Sequence, residues 1–126
     1  MEVPSDRRYT NEHEWVLATD DGNYRIGITD YAQDALGDVV FVELPEAGAN
    51  YELNATMAEV ESTKSVAEVY APMAGSIVEA NASLVESPDL INREPYGEGW
   101  FVVMEISDPA AFEGLLDAEG YKALTE

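Results

Sequence analysis

The chain contains no cysteine in its 126 residues. Disulfides, thiolate zinc sites and cysteine nucleophiles are therefore excluded. Positive charge is nearly as scarce. Lys and Arg together number 6 against 26 Asp and Glu, and the formal net charge is −20. A surface of that sign cannot track a phosphate backbone, and an anionic membrane is an equally poor partner. Long apolar runs are missing too. "VVFV" and "WFVVM" fall far short of the ~20 residues that a membrane-spanning helix needs. The opening "MEVPSDRRYTNEHEW" has no apolar run after a basic start, so no secretion signal is expected and the chain reads as cytoplasmic. The sequons at Asn54 and Asn81 then read as chance. Also absent are G-x-G-x-x-G, a phosphate-binding P-loop, H-E-x-x-H and an EF-hand loop.

What is present points to a folded domain. The hydrophobic content is 46%, and a chain of this length buries roughly two-thirds of its unfolded surface. One domain spanning residues 1–126 is expected. The acids are scattered in ones and twos, which predicts a solvated acidic surface. Self-repulsion on such a surface is screened at ~1 M salt, where the Debye length is ~3 Å, so a salt-loving host is expected.

The pattern along the chain is one of short strands. "EWVLATDDGNYRIGIT" reads as a hairpin with Asp21-Gly22 at its turn. "TDYAQDALGD" reads as a short helix, with Asp30 and Gln33 close to a capping box and Gly37 ending it. "DVVFVELP" is expected to be a buried strand. Two strands flank Thr63-Lys64, another follows Pro72–Gly75, one helical turn is expected near Pro88, and "WFVVMEIS" is the last strand. The C-terminal segment, residues 108–125, is expected to be helical, with Asp108 as N-cap, Pro109 at the first position, and breaks at Gly114 and Gly120. Short strands with a terminal helix predict a small, mainly β sandwich or barrel.

Few residues suggest chemistry. A Ser-His-Asp triad would have to use His13, the one histidine, which reads more simply as structural. Glu12/Glu14 and Glu59/Glu61 are spaced two apart and would share a strand face. In so acidic a chain they read first as solvated surface. Lys64 stands apart, being one of only two lysines. The flanks of Thr63-Lys64 mirror one another: Ser62 with Ser65, Val60 with Ala67, Glu59 with Glu68. That symmetry suits a tight hairpin, yet the turn lacks the Asn-Gly or Asp-Gly that two-residue turns favour. On the residues alone, Lys64 is either an exposed solvated charge or an attachment point. An acidic interaction module with unmodified Lys64 and a small acid–base hydrolase using Glu12, His13 and Glu14 both remain open.

"VESTKSVAEVYAPMAGSIVEAN" resembles the prosthetic-group segment of the glycine cleavage H-protein family, in which a lysine of an E-S-x-K tip carries lipoate. "YTNEHEWV", "GITDYAQDALGDVVFVELPEAG", "SPDLIN" and "PYGEGWF" resemble further segments of that family, in order, from about Tyr9 to Tyr121. The methionine-flanked lysine of biotin carriers and the Asp-Lys of 2-oxoacid dehydrogenase lipoyl domains are absent.

The resemblance implies a barrel-sandwich hybrid with a short internal helix, a lipoyl hairpin at about 57–71 and a C-terminal helix. It implies a non-catalytic carrier with lipoate in amide linkage to Lys64. The implied partners are a pyridoxal-phosphate glycine decarboxylase, a tetrahydrofolate-dependent aminomethyltransferase, a flavin-linked dihydrolipoyl dehydrogenase, and a lipoate ligase or lipoyl transferase. Glu14 and Glu68, with Glu12, would border a cleft for the loaded arm; Glu68 stands where an aspartate is common and Glu12 where a smaller polar residue is. An H-like carrier serving lipoate relay or sulfur oxidation is the alternative within the same fold.

Overall fold

The computed structural model describes residues 2–125. Its strands are β1 (Arg8–Tyr9), β2 (Glu14–Ala18), β3 (Tyr24–Ile28), β4 (Val39–Glu43), β5 (Asn50–Tyr51), β6 (Thr56–Ser62), β7 (Val66–Tyr70), β8 (Gly75–Ala80) and β9 (Val102–Ile106). The helices are α1 (Asp30–Leu36), α2 (Ser83–Glu86), α3 (Leu90–Arg93), α4 (Ala110–Glu113) and α5 (Ala118–Thr125). Two antiparallel sheets form, one in the order β1-β2-β3-β9-β8-β5 and one in the order β4-β6-β7. The architecture is the expected mainly β sandwich. Among the described residues neither sheet closes into a barrel.

The main core lies between the sheets. Val16 and Ile26 from the larger sheet meet Val42, Val60 and Val69 from the smaller one, and Leu84 and Ile91 of α2 and α3 close it. Burying this apolar surface is the dominant favourable term in the fold. Successive strand residues point to opposite faces, and β2 uses both faces. Val16 faces the sandwich, while Trp15 joins a second cluster with Tyr9, Ala118 and Tyr121 beneath α5. Trp15 also lies over Gly27, its cross-strand partner. A Cβ there would come within 2.6 Å of the indole, so only glycine leaves the ring its place. The indole Nε1 donates to the Pro95 carbonyl at 2.8 Å.

Several local expectations change. The cap of α1 is Thr29, not Asp30: the Thr29 side chain accepts from the Ala32 N–H at 3.2 Å. Asp30 is the first helical residue, and its carboxylate takes the Gln33 amide at 2.8 Å. Gly37 ends the helix at φ 83, as expected. Strand β4 is not buried throughout. A register shift between Val39 and Phe41 turns both Val40 and Phe41 outward, each 52% exposed; a bulge of this kind bends the strand and re-aims its side chains. Around Pro88 there are two helical turns, α2 and α3, where one was expected. The C-terminal segment breaks at Gly114, whereas Gly120 lies inside α5. Asp108 does accept from the Ala110 N–H at 3.1 Å, although α4 begins without a formal side-chain cap.

Candidate functional site

Lys64 sits at the tip of the β6–β7 hairpin. The register is the one the sequence symmetry suggests: Val60 pairs with Ala67 and Glu59 with Glu68, and the Ser62 N–H donates to the Ser65 carbonyl at 2.8 Å. The missing glycine or asparagine is explained by Ser62. Its buried hydroxyl accepts from the Lys64 N–H at 3.3 Å and the Ser65 N–H at 3.1 Å, and donates to the Ser65 carbonyl at 3.2 Å. A serine side chain thus supplies the turn's hydrogen bonds. Neither Thr63 nor Lys64 is among the residues at positive φ, so the β-branched Thr63 is not strained there.

The tip is also tied to the body. The Thr63 N–H donates to the Asp38 carbonyl at 3.0 Å. The Lys64 stem lies over Gly37, where a Cβ would stand 3.4 Å from Lys64 Cε. Gly37 therefore ends α1 and seats the lysine. Four of the six basic side chains form ion pairs, with Asp6, Glu113, Asp89 and Glu119, and Arg25 stacks over Trp100 at 5.0 Å. Lys64, among the described residues, has no such partner in a chain with 26 acids.

Between α1 and the hairpin runs a cleft of about 210 Å³. Ala32, Ala35 and Leu36 of α1 form one wall, Val60, Ala67 and Val69 another, with Ile28 at its base. Glu12, Glu14 and Glu68 all line it. The three acids named from sequence are thus brought to one place, although Glu12 and Glu68 are 56 positions apart in the chain.

Glu14 is the unusual member. It shares the inward face of β2 with Val16 and is only 2% exposed. Its carboxylate accepts from the Tyr70 N–H at 2.7 Å and the Thr10 hydroxyl at 2.9 Å. Burial pushes its pKa up to about 7, against the downward pull of those two hydrogen bonds. Glu14 is therefore a buried, half-ionised acid at neutral pH, contrary to the solvated reading of the Glu12/Glu14 pair. Glu12 and Glu68 are exposed, and the Glu68 carboxylate takes the Tyr70 hydroxyl at 3.1 Å.

His13 does not line the cleft. It has φ 69, its Nδ1 lies 2.8 Å from the Tyr121 hydroxyl, and that hydroxyl is 2.7 Å from Thr29 Oγ1. Burial lowers its pKa. Packed on Tyr31 with ring centroids 4.6 Å apart, it is a structural histidine that bridges β2 and α5. Asn81 is likewise structural: its side-chain amide donates to the Glu98 and Trp100 carbonyls, both at 2.8 Å. Sequence reasoning named Gly37 only as a helix end and Ser62 only as the mirror of Ser65, and did not name Thr10 or the small residues of α1. The legible signal was Ser62 itself, a turn-forming residue directly before a pair that cannot make an easy turn.

The chain matches known proteins in sequence and in fold. The family model described as "Glycine cleavage H-protein" matches residues 7–126. The glycine cleavage system H protein of Mycolicibacterium smegmatis is 54% identical, covering 98% of this chain and 96% of that protein. That of Mycobacterium avium is 52% identical, covering 99% and 98%. A crystal structure of a glycine cleavage system H protein from Mycobacterium marinum superposes with a TM-score of 0.88 at 43% identity, covering 98% of each chain. These relatives are mycobacterial, so the expected salt-loving host finds no support. No helix among the described residues is long and apolar enough to cross a membrane. With matches of this extent to sequence and structure alike, the chain belongs to the glycine cleavage H-protein family, the lipoyl-carrier components of the glycine cleavage system.

Proposed function

We propose that Lys64 is the attachment point of lipoate and that the cleft between α1 and the β6–β7 hairpin receives the loaded arm. The observation that carries this reading is the placement of Lys64: an anchored, exposed tip, an ammonium without an ion-pair partner among the described residues, and a cleft beside it that combines apolar walls with three carboxylates. The residues fit the group. Ala32, Ala35, Leu36, Val60 and Val69 offer surface for an aliphatic chain and a sulfur ring, and the carboxylates suit an amine. Bound at Lys64, lipoate supplies a disulfide–dithiol couple that takes up and hands on an aminomethyl unit.

Attachment would form a C–N bond from Nζ to an activated lipoate carboxyl carbon. The activating group leaves with the bonding electrons, and two of the three ammonium protons pass to solvent. Inside the cleft Glu14 holds or releases a proton. An incoming ammonium favours its ionised form, so below about pH 7 cation binding is accompanied by proton release from Glu14. Glu12 and Glu68 stand at exposed positions, where each ion pair contributes ~0.2–1 kcal/mol.

The partners in this reading are a glycine decarboxylase, an aminomethyltransferase, a dihydrolipoyl dehydrogenase and a lipoate ligase or lipoyl transferase, with the cytoplasm as the site of action. The test is intact mass of the protein incubated with a lipoate ligase, lipoate and ATP, followed by peptide mapping. One lipoyl mass on Lys64, absent in Lys64→Arg and absent from Lys122, is the expected result. An unmodified Lys64 would overturn the proposal.

A further inference from the structure

Next to the tip, the outer face of the β4-β6-β7 sheet shows an arrangement that stability alone does not explain. Phe41, Glu61 and Val66 lie side by side in one cross-strand row. Phe41 is 52% exposed and Val66 60%. The register shift in β4 turns Val40 outward beside them. Helix α2, which carries the exposed Val85, packs along β4. Four of the eight large exposed hydrophobics thus lie on this sheet or the helix beside it. The next row away from the tip is Glu43, Glu59 and Glu68, three directly opposed carboxylates. Like charges so placed are destabilising, and among the described residues none of the three is in an ion pair.

We propose that this face, with Phe41 and Val66 flanking Glu61 in its central row, Val40 beside them and the Glu43-Glu59-Glu68 row at its edge, docks the enzyme that attaches lipoate to Lys64, through apolar pockets for Phe41 and Val66 and Arg or Lys side chains for the carboxylates. The proposal rests on Lys64 being the attachment point. Before attachment, Lys64 Nζ stands no more than one lysine side chain from the hairpin tip. An enzyme that must bring that nitrogen to an acyl carbon has to contact the first rows behind the tip. Enzymes that meet the lengthened arm later can stand further off. Charge complementarity favours a basic rim, because the acid row attracts cations and repels an acidic surface. Exposed aromatic and aliphatic side chains such as Phe41 and Val66 are where binding energy concentrates once a partner covers them.

The experiment uses the full chain, a purified lipoate ligase, lipoate and ATP. Attachment is followed by intact mass and binding of the unmodified chain by calorimetry. Phe41→Ser/Val66→Ser should raise both KM and Kd about tenfold with kcat unchanged. Glu43→Gln/Glu59→Gln should weaken binding at low salt and flatten its salt dependence. Val78→Ser, on the other sheet and 45% exposed, should change nothing. Unchanged KM and Kd in the Phe41/Val66 variant, or a loss confined to kcat, would overturn the docking face. A chain that is bound but never modified at Lys64 would sink the attachment reading instead, while the variant's effect on binding still decides the docking face.

Discussion

Replacing Glu14 by glutamine should make the protein more stable, and more so as the pH rises. The folded state holds Glu14 at a pKa of about 7, against 4.5 for the free side chain. Below pH 4.5 the acid is protonated in both states and burial carries no ionisation penalty. Between 4.5 and about 7 the unfolded chain ionises first, so the folded state loses stability as pH rises. Above about 7 both states are ionised and the full penalty stands.

At ~1.4 kcal/mol per pKa unit, that penalty is about 1.4 kcal/mol at pH 5.5 and about 3 kcal/mol at pH 8. Glutamine has the same shape, stays neutral, and keeps an oxygen to accept from the Tyr70 N–H and an NH₂ to meet the Thr10 hydroxyl. The stabilisation by Glu14→Gln should therefore grow by about 2 kcal/mol between pH 5.5 and pH 8. Urea unfolding followed by fluorescence of Trp15 and Trp100 measures it. His13 contributes with the opposite sign, because burial depresses its folded pKa and stability is lost as pH falls. It is common to both proteins and cancels in the difference. A stabilisation that does not vary with pH would refute the assignment of Glu14 as a buried acid.

Other outcomes follow from the same geometry. Ser62→Ala should cost about 1 kcal/mol and speed hydrogen exchange at the Lys64 and Ser65 amides, with slower lipoate attachment as the functional readout. Gly27→Ala would drive a methyl into the Trp15 indole; a loss of about 2 kcal/mol is expected, with a red-shifted Trp15 emission, checked by thermal unfolding and fluorescence. Lys64→Arg should abolish the added lipoyl mass while leaving the unfolding midpoint unchanged, since Lys64 is exposed and makes no ion pair among the described residues. Phe41→Ser/Val66→Ser should affect docking and not folding, as both side chains are more than half exposed.

The hairpin register was legible because it is written locally: Ser62 with Ser65, Val60 with Ala67 and Glu59 with Glu68 mirror one another around the turn. The helix α1 was legible in extent but not in its cap. Thr29 and Asp30 are both good capping residues, and the choice between them is set by where β3 ends. The expected burial of β4 failed for a related reason. A one-residue register shift is imposed by pairing with β6 and leaves no mark in "DVVFVELP". Gly120 was read as a breaker, but packing of Ala118 and Tyr121 against Trp15 and Tyr9 holds α5 through it. Spacing identified Glu14 as one of a pair and gave it to the surface; in the fold it is buried and bonded to the Tyr70 N–H, which is distant in sequence. The cleft as a whole was named only through family resemblance, because three separate segments build it.

The anchoring of the hairpin tip bears on how far a group carried by Lys64 can wander. Ser62, the Asp38 carbonyl and the seat on Gly37 fix the point from which any such group would start. Its search is then confined to rotations about side-chain bonds, not multiplied by motion of the strands. A fixed origin raises the effective concentration of the carried group at the cleft, which lies beside the same hairpin, and lowers the ordering entropy lost on each visit. Loosening the tip would leave every contact in the cleft intact and still weaken its occupancy.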